Sequence, residues 1–125
     1  MRAFFFTVVV FLCSPVWAGW SLVVTGTQGD EFYIDMDTLR SDNNIRRFWA
    51  LTNLTKQGQK GEMSMRVLRE IDCKQDRERT LVITGLNGAM GSGDVLGSYK
   101  NDNDPWEYIA PQTISQAYFA KVCSK

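Results

Sequence analysis

The chain has 125 residues, with 14 basic and 14 acidic side chains, no histidine and a formal net charge of zero. That balance excludes a strongly basic nucleic-acid binder. The missing histidine excludes Ser-His-Asp and Cys-His catalysis and His-dependent metal sites.

The first eighteen residues read as a leader. Arg2 gives a short positive start, and residues 3–13 form an almost unbroken apolar run with Phe4, Phe5, Phe6 and Val8, Val9, Val10. Ser14 and Pro15 break it, and Val16-Trp17-Ala18 puts small or modest residues at the −3 and −1 positions of a cut between Ala18 and Gly19. This is the layout of a signal peptide. The run is shorter than the roughly 20 residues a membrane-spanning helix needs. Residues 1–18 are therefore expected to be a signal peptide and residues 19–125 a single domain, with no transmembrane segment after the leader is removed. The expected location is the periplasm, the outer surface or the medium. A lipobox needs a small residue before its cysteine; Leu12 stands there, which argues against lipid anchoring through Cys13. Removing 18 of 125 residues leaves 107, enough for one core with little margin.

The retained chain opens with two alternating runs. Residues 20–25 place Trp20, Leu22 and Val24 opposite Ser21, Val23 and Thr25; residues 31–36 place Phe32, Ile34 and Met36 opposite Glu31, Tyr33 and Asp35. The loop at 26–30 holds Gly26 and Gly29, so the pair predicts a β-hairpin. Residues 37–44 are polar, and Ser41-Asp42-Asn43-Asn44 is turn chemistry. Residues 45–54 carry apolar side chains on both faces, the mark of a central strand covered twice. Residues 56–61, KQGQKG, read as a solvated hairpin loop.

Residues 63–73 alternate most clearly. Met63, Met65, Val67, Ile71 and Cys73 share one face; Ser64, Arg66, Glu70 and Asp72 share the other, with Leu68 and Arg69 as exceptions. Period two thus puts Cys73 on the apolar side. Residues 81–86 are a further strand. The glycine-rich stretch 85–97 reads as a hairpin or bulged strand, residues 100–104 as a polar loop, and residues 106–109 as a short aromatic strand.

After Pro111 the period changes. Thr113 and Gln116 form a T-x-x-Q capping box. Beyond it Ile114, Tyr118, Phe119, Val122 and Cys123 fall within one half of a helix. Once the leader has left, Cys73 and Cys123 are the only cysteines. In an oxidising compartment they are expected to bond, stapling the helix to the strand that carries Cys73. The predicted fold is α+β, mainly β: an antiparallel sheet of about six strands, one C-terminal helix packed on a face, and one disulfide.

Chemistry-bearing motifs are few. Counted from Asp35, an EF-hand loop needs Gly sixth and Glu twelfth; Arg40 and Arg46 stand there. Residues 101–104 offer oxygens for a weak cation site, and a turn before Pro105 is the preferred reading. Gly85, Gly88, Gly91, Gly93 and Gly97 match neither G-x-G-x-x-G nor a P-loop, and no helix opens after them. Asp35 and Asp37 read first as a hydrated strand end. Trp20, Trp49, Trp106 and Tyr108 read first as core and second as a recognition surface. Arg66, Arg69, Arg77 and Arg79 near Glu70, Asp72 and Glu78 suggest a charged sheet face of solvated ion pairs.

Several segments, in this order, carry a resemblance. They are Trp20, Phe32-Tyr33-Ile34-Asp35, Trp49-Ala50-Leu51, Ser64 with Arg66, Glu70-Ile71-Asp72-Cys73, Trp106 with Tyr108-Ile109-Ala110-Pro111, and Val122-Cys123. Over residues 19–124 the pattern resembles the surface-adhesin protein E family of Gram-negative bacteria. The resemblance implies an antiparallel sheet with one attached helix and an adhesin that contacts host matrix and serum proteins and can form a homodimer. The family's lipid anchor is not implied, because Leu12-Cys13 departs from it.

The function expected is an exported, non-catalytic binding module, adhesin-like, with a host-matrix or envelope protein as partner. It is expected to have no cofactor, no metal and no nucleic-acid ligand. The alternative is a periplasmic binder of a small ligand or envelope component. Only Cys73 and Cys123 are assigned as special residues of the domain; the loops at 56–61 and 88–104 are the expected contact regions.

Overall fold

The computed structural model describes residue 3 and residues 19–124. Cys13, Ala18 and nearly all of the expected leader lie outside the described residues. The elements are β1 (Trp20–Thr25), β2 (Glu31–Asp42), β3 (Ile45–Asn53), β4 (Ser64–Asp72), β5 (Arg77–Leu86), a 3-10 turn (Ala89–Gly91), β6 (Val95–Lys100), β7 (Glu107–Tyr108) and α1 (Ile114–Cys123). The sheet is an antiparallel meander in the order β1-β2-β3-β4-β5-β6. The short β7 pairs with the start of β5, beyond the reach of β6.

Cross-strand register sorts the side chains onto two faces, because residues directly opposite point the same way. Ile34, Ala50, Val67 and Ile83 form one row. With Phe48 and Ile71 they make the floor on which α1 lies, and Tyr118 and Val122 are the buried helix residues. The Thr113 hydroxyl caps the helix by accepting the Gln116 N–H at 3.2 Å, as the capping pattern predicts. Tyr118 penetrates deepest. Its ring stacks on Phe48 at 5.7 Å between centroids, and its hydroxyl donates to the Tyr33 carbonyl at 2.8 Å. Arg69 lies over the same ring, 4.9 Å from its centroid. Its odd position in β4 therefore faces the helix as period two dictates, and it pairs there with Glu78 at 3.6 Å. The Ser115 hydroxyl also donates to Glu78. At the far end of the helix Cys123 is bonded to Cys73, Cα to Cα 5.6 Å.

Four boundaries differ from the reading of the sequence. β2 does not stop at Met36: after an irregularity between Asp35 and Arg40 it resumes pairing to Asp42. Within the break, Thr38 Oγ1 donates to the Asp35 carbonyl at 2.6 Å and accepts from the Trp49 N–H at 3.0 Å, a side chain standing in for the ladder. The turn then shrinks to Asn43-Asn44, with Asn43 at φ +52°, which asparagine tolerates. β5 begins at Arg77 rather than residue 81, since its charged first half pairs with Glu70 and Asp72. The glycine-rich stretch supplies the 3-10 turn and then β6, which gives seven strands among the described residues. The aromatic strand expected at 106–109 shortens to Glu107–Tyr108.

Candidate binding surface

The face of the sheet away from α1 departs furthest from expectation. Ser64, Glu70 and Asp72 sit on the polar side of β4, yet all three are buried, Glu70 and Asp72 to 5% exposure. Ser64 is covered by the 3-10 turn: its hydroxyl donates to the Gly88 carbonyl at 2.6 Å and accepts the Gly91 N–H at 2.9 Å. Met90 N–H donates to Asn53 Oδ1 at 2.9 Å, which holds this turn over Leu51 and Ser64. The two carboxylates are covered by arginines. The four-residue turn at 73–76 sets Asp72 opposite Arg77 and Glu70 opposite Arg79, and Glu70 faces Arg47 on its other side.

Glu70 is shared. Arg79 donates to its Oε1 through Nε at 2.8 Å and Nη2 at 2.7 Å, and Arg47 reaches its Oε2 at 3.2 Å. Asp72 Oδ1 accepts the backbone N–H groups of Lys74 and Gln75 at 3.1 and 3.2 Å, and Oδ2 accepts Arg77 Nε at 3.1 Å. Burial pushes the Asp72 carboxyl up, but those donors and the Arg77 charge outweigh it and hold the group below its usual value. A carboxyl lowered on folding stabilises the fold above its unfolded pKa, and that contribution is lost as pH falls through the folded value. We therefore expect stability to be level above about pH 4 and to drop below it. In chemical unfolding across pH 2–6, Asp72→Asn should flatten that drop; an unchanged profile would count against the assignment.

The tryptophans expected in the core lie on this same face. Trp20, Trp49 and Trp106 are half-buried and outside the core cluster, and Tyr108 is 82% exposed. Trp106 lies under two guanidinium groups, Arg79 at 4.4 Å and Arg77 at 4.9 Å from the ring centroid. Trp20 and Trp49 flank Asp35, their register partner, and line a groove of about 360 Å³ with Arg66 and the 3-10 turn. A second groove, of about 450 Å³, opens beside Trp106. The charged face read from the sequence is thus real for Glu70, Asp72, Arg77 and Arg79, though these pairs are not solvated. Arg69 and Glu78 belong to the other side, under the helix.

A third groove, about 530 Å³, lies on the helix side near β6. Gln59, Lys60 and Glu62 face Leu96 and Tyr99 across a floor that includes Gly85 and Gly97. It joins the two loop regions singled out from the sequence. The turn at 101–104 is closed from within: Asn101 Nδ2 donates to Asp104 Oδ1 at 3.3 Å, and Asp104 Oδ2 accepts the Thr80 N–H at 3.2 Å. Asp35 Oδ1 accepts the Asp37 N–H at 3.1 Å, which keeps those two acids in a local turn. Among the described residues no three metal-ligating side chains cluster, and no helix is long and apolar enough to cross a membrane.

The sequence assigned no binding residues. What it missed was the register that brings Arg47, Glu70, Arg79 and Trp106 together. The usable signal was E-x-D and R-x-R, at 70–72 and 77–79, separated by a four-residue turn.

No curated protein matches the chain. Solved structures do. Crystal form II of Haemophilus influenzae protein E is 19% identical, with a TM-score of 0.71 over 87% of this chain and 90% of that one. The selenomethionine form of the same protein is 18% identical, with a TM-score of 0.70 over 87% and 88%. Structural likeness at this level of identity shows the fold alone. A family model described as surface-adhesin protein E matches residues 20–124. With that match spanning the whole sheet, the helix and the Cys73–Cys123 bridge, the chain belongs to the surface-adhesin protein E family.

Proposed function

We propose that residues 19–125 form an exported, non-catalytic, adhesin-like module that contacts a host-matrix or envelope protein through the helix-free face of its sheet. One observation carries this reading: that face presents three half-buried tryptophans and fixed arginines around open grooves, where a second core layer would otherwise stand. Trp and Arg are the residues that most often anchor protein interfaces. Two of the acids on that face, Glu70 and Asp72, are held by arginines and backbone donors. Family membership supports the same reading. Export follows from the leader, with cleavage between Ala18 and Gly19.

The test joins location to binding. Mass spectrometry of the native protein should give an N-terminus at Gly19, and intact cells should expose the protein to antibody. The purified protein should bind immobilised matrix proteins by interferometry, and Trp49→Ala should weaken that binding at least tenfold, about 1.4 kcal/mol. Recovery from the periplasm alone would overturn adhesion. It would favour the second reading, a periplasmic binder of a small ligand, for which the 530 Å³ groove between residues 59–62 and β6 is of suitable size.

A further inference from the structure

The groove beside Trp106 has a charge pattern that points to a partner group. Three arginines line it: Arg40 from β2, Arg47 from β3 and Arg79 from β5. Two carboxylates, Glu70 and Asp42, line it too. Glu70 bridges Arg47 and Arg79 and can neutralise only one of them. Arg40 reaches nothing better than the carbonyls of Asp37 and Leu39, each at 3.4 Å, and among the described residues neither Arg40 nor Asp42 has an ion-pair partner. One positive charge is therefore in excess.

The donors are also fixed in place. Arg79 is clamped between the buried Glu70 carboxylate and the Trp106 ring. Arg47 is tethered to the same carboxylate while 52% of its side chain stays in solvent. A guanidinium has five N–H groups in a rigid fork, so each keeps donors beyond those spent on Glu70. Planar donors held in position suit a carboxylate. Around them, Ile45 and Trp106 supply apolar wall.

We propose that this groove binds an acidic side chain, flanked by an apolar residue, on a segment of the protein partner. The carboxylate enters between Arg40, Arg47 and Arg79, and the apolar neighbour lies against Ile45 and Trp106. A sulfated glycan is the poorer fit. Polyanions are held by many basic contacts and the ions they release, and here the excess is a single charge on a chain whose formal charge is zero. The proposal rests on the protein-binding reading and narrows it.

The experiment uses the exported protein labelled with nitrogen-15. The probes are the peptide acetyl-Phe-Glu-Phe-amide, its Gln counterpart, and a heparin hexasaccharide. The Glu peptide should shift the Trp106 indole N–H and the Arg47 and Arg79 Nε–H resonances in a saturable way. R40Q and R47Q, both at exposed positions, should each weaken it at least fivefold. D42N should tighten it about threefold, by removing the groove carboxylate that no arginine neutralises. Equal shifts with the Gln peptide, or none with either, would overturn the proposal. So would heparin binding at these resonances with a steep salt dependence and no response to the Glu peptide. If matrix proteins bind and R40Q/R47Q leaves them bound, this groove is wrong and the protein-binding reading stands. If the Glu peptide binds while no protein does, the reverse holds.

Discussion

Cys73→Ser should lower the free energy of unfolding by about 4 kcal/mol, the chain-entropy value for a bridge closing a loop of this length. The bonded cysteines are 50 residues apart. The effect should be this large for a local reason as well. α1 has ten residues, too few to persist alone in water. It is held by one face of apolar contacts, by the hydroxyl bond at Tyr118 and by the sulfur link at its last turn. The strand end it reaches is itself fixed, since the Cys73 N–H donates to the Asn44 carbonyl at 2.8 Å. Urea unfolding of the native protein against the Cys73→Ser/Cys123→Ser pair measures the term directly. A loss under about 1 kcal/mol would mean that packing alone seats the helix.

Tyr118→Ala should cost about 3–5 kcal/mol, the range for emptying a large aromatic from a core. Tyr118 is fully buried. Its removal takes away the stack on Phe48, the bond to Tyr33 and the ring under Arg69. That last loss matters because Arg69 Nε and Glu78 Oε2 already lack hydrogen-bond partners, and stripping the ring from this part-buried pair leaves those atoms less well covered. Tyr118→Phe keeps the ring and should cost only about 1 kcal/mol for the hydroxyl.

The two variants also differ in alkali. Burial pushes the Tyr118 phenol up to about 12, against the smaller lowering effect of Arg69. In the unfolded chain the group ionises near 10. Its contribution is therefore complete below pH 10 and is lost as pH rises toward 12, amounting to about 2–3 kcal/mol. Tyr118→Phe should lack that part of the alkaline decline. If both proteins decline alike between pH 10 and 12, the phenol is not sealed as described.

Elements whose burial is apolar were legible in the sequence. Met65, Val67, Ile71 and Cys73 kept the side that period two gave them, and Tyr118 and Val122 the side that the helical period gave. The cysteine pairing followed from counting. Elements buried by charge were not legible. The first half of β5 reads as a solvated run because arginine and glutamate usually mean solvent, yet here Arg77 and Arg79 cover Glu70 and Asp72. β2 seemed to stop at Met36 because Thr38, not backbone, bridges the break. The tryptophans were misplaced for a related reason. In so small a domain aromatics default to the core, but one helix covers only one face, and Trp20, Trp49 and Trp106 fell on the other. The candidate groove was invisible residue by residue, since it exists only in the pairing of four strands, β2 to β5.

The outer margin of β6 has a consequence for handling and for evolution. All six of its residues are exposed, Val95, Leu96 and Tyr99 among them, and among the described residues no strand lies beyond it. Bare backbone amides along such a rim invite another extended chain. The fold therefore has an open seam: concentrated solutions will tend to grow along it, and an inserted hairpin could widen the sheet there without disturbing the stapled helix.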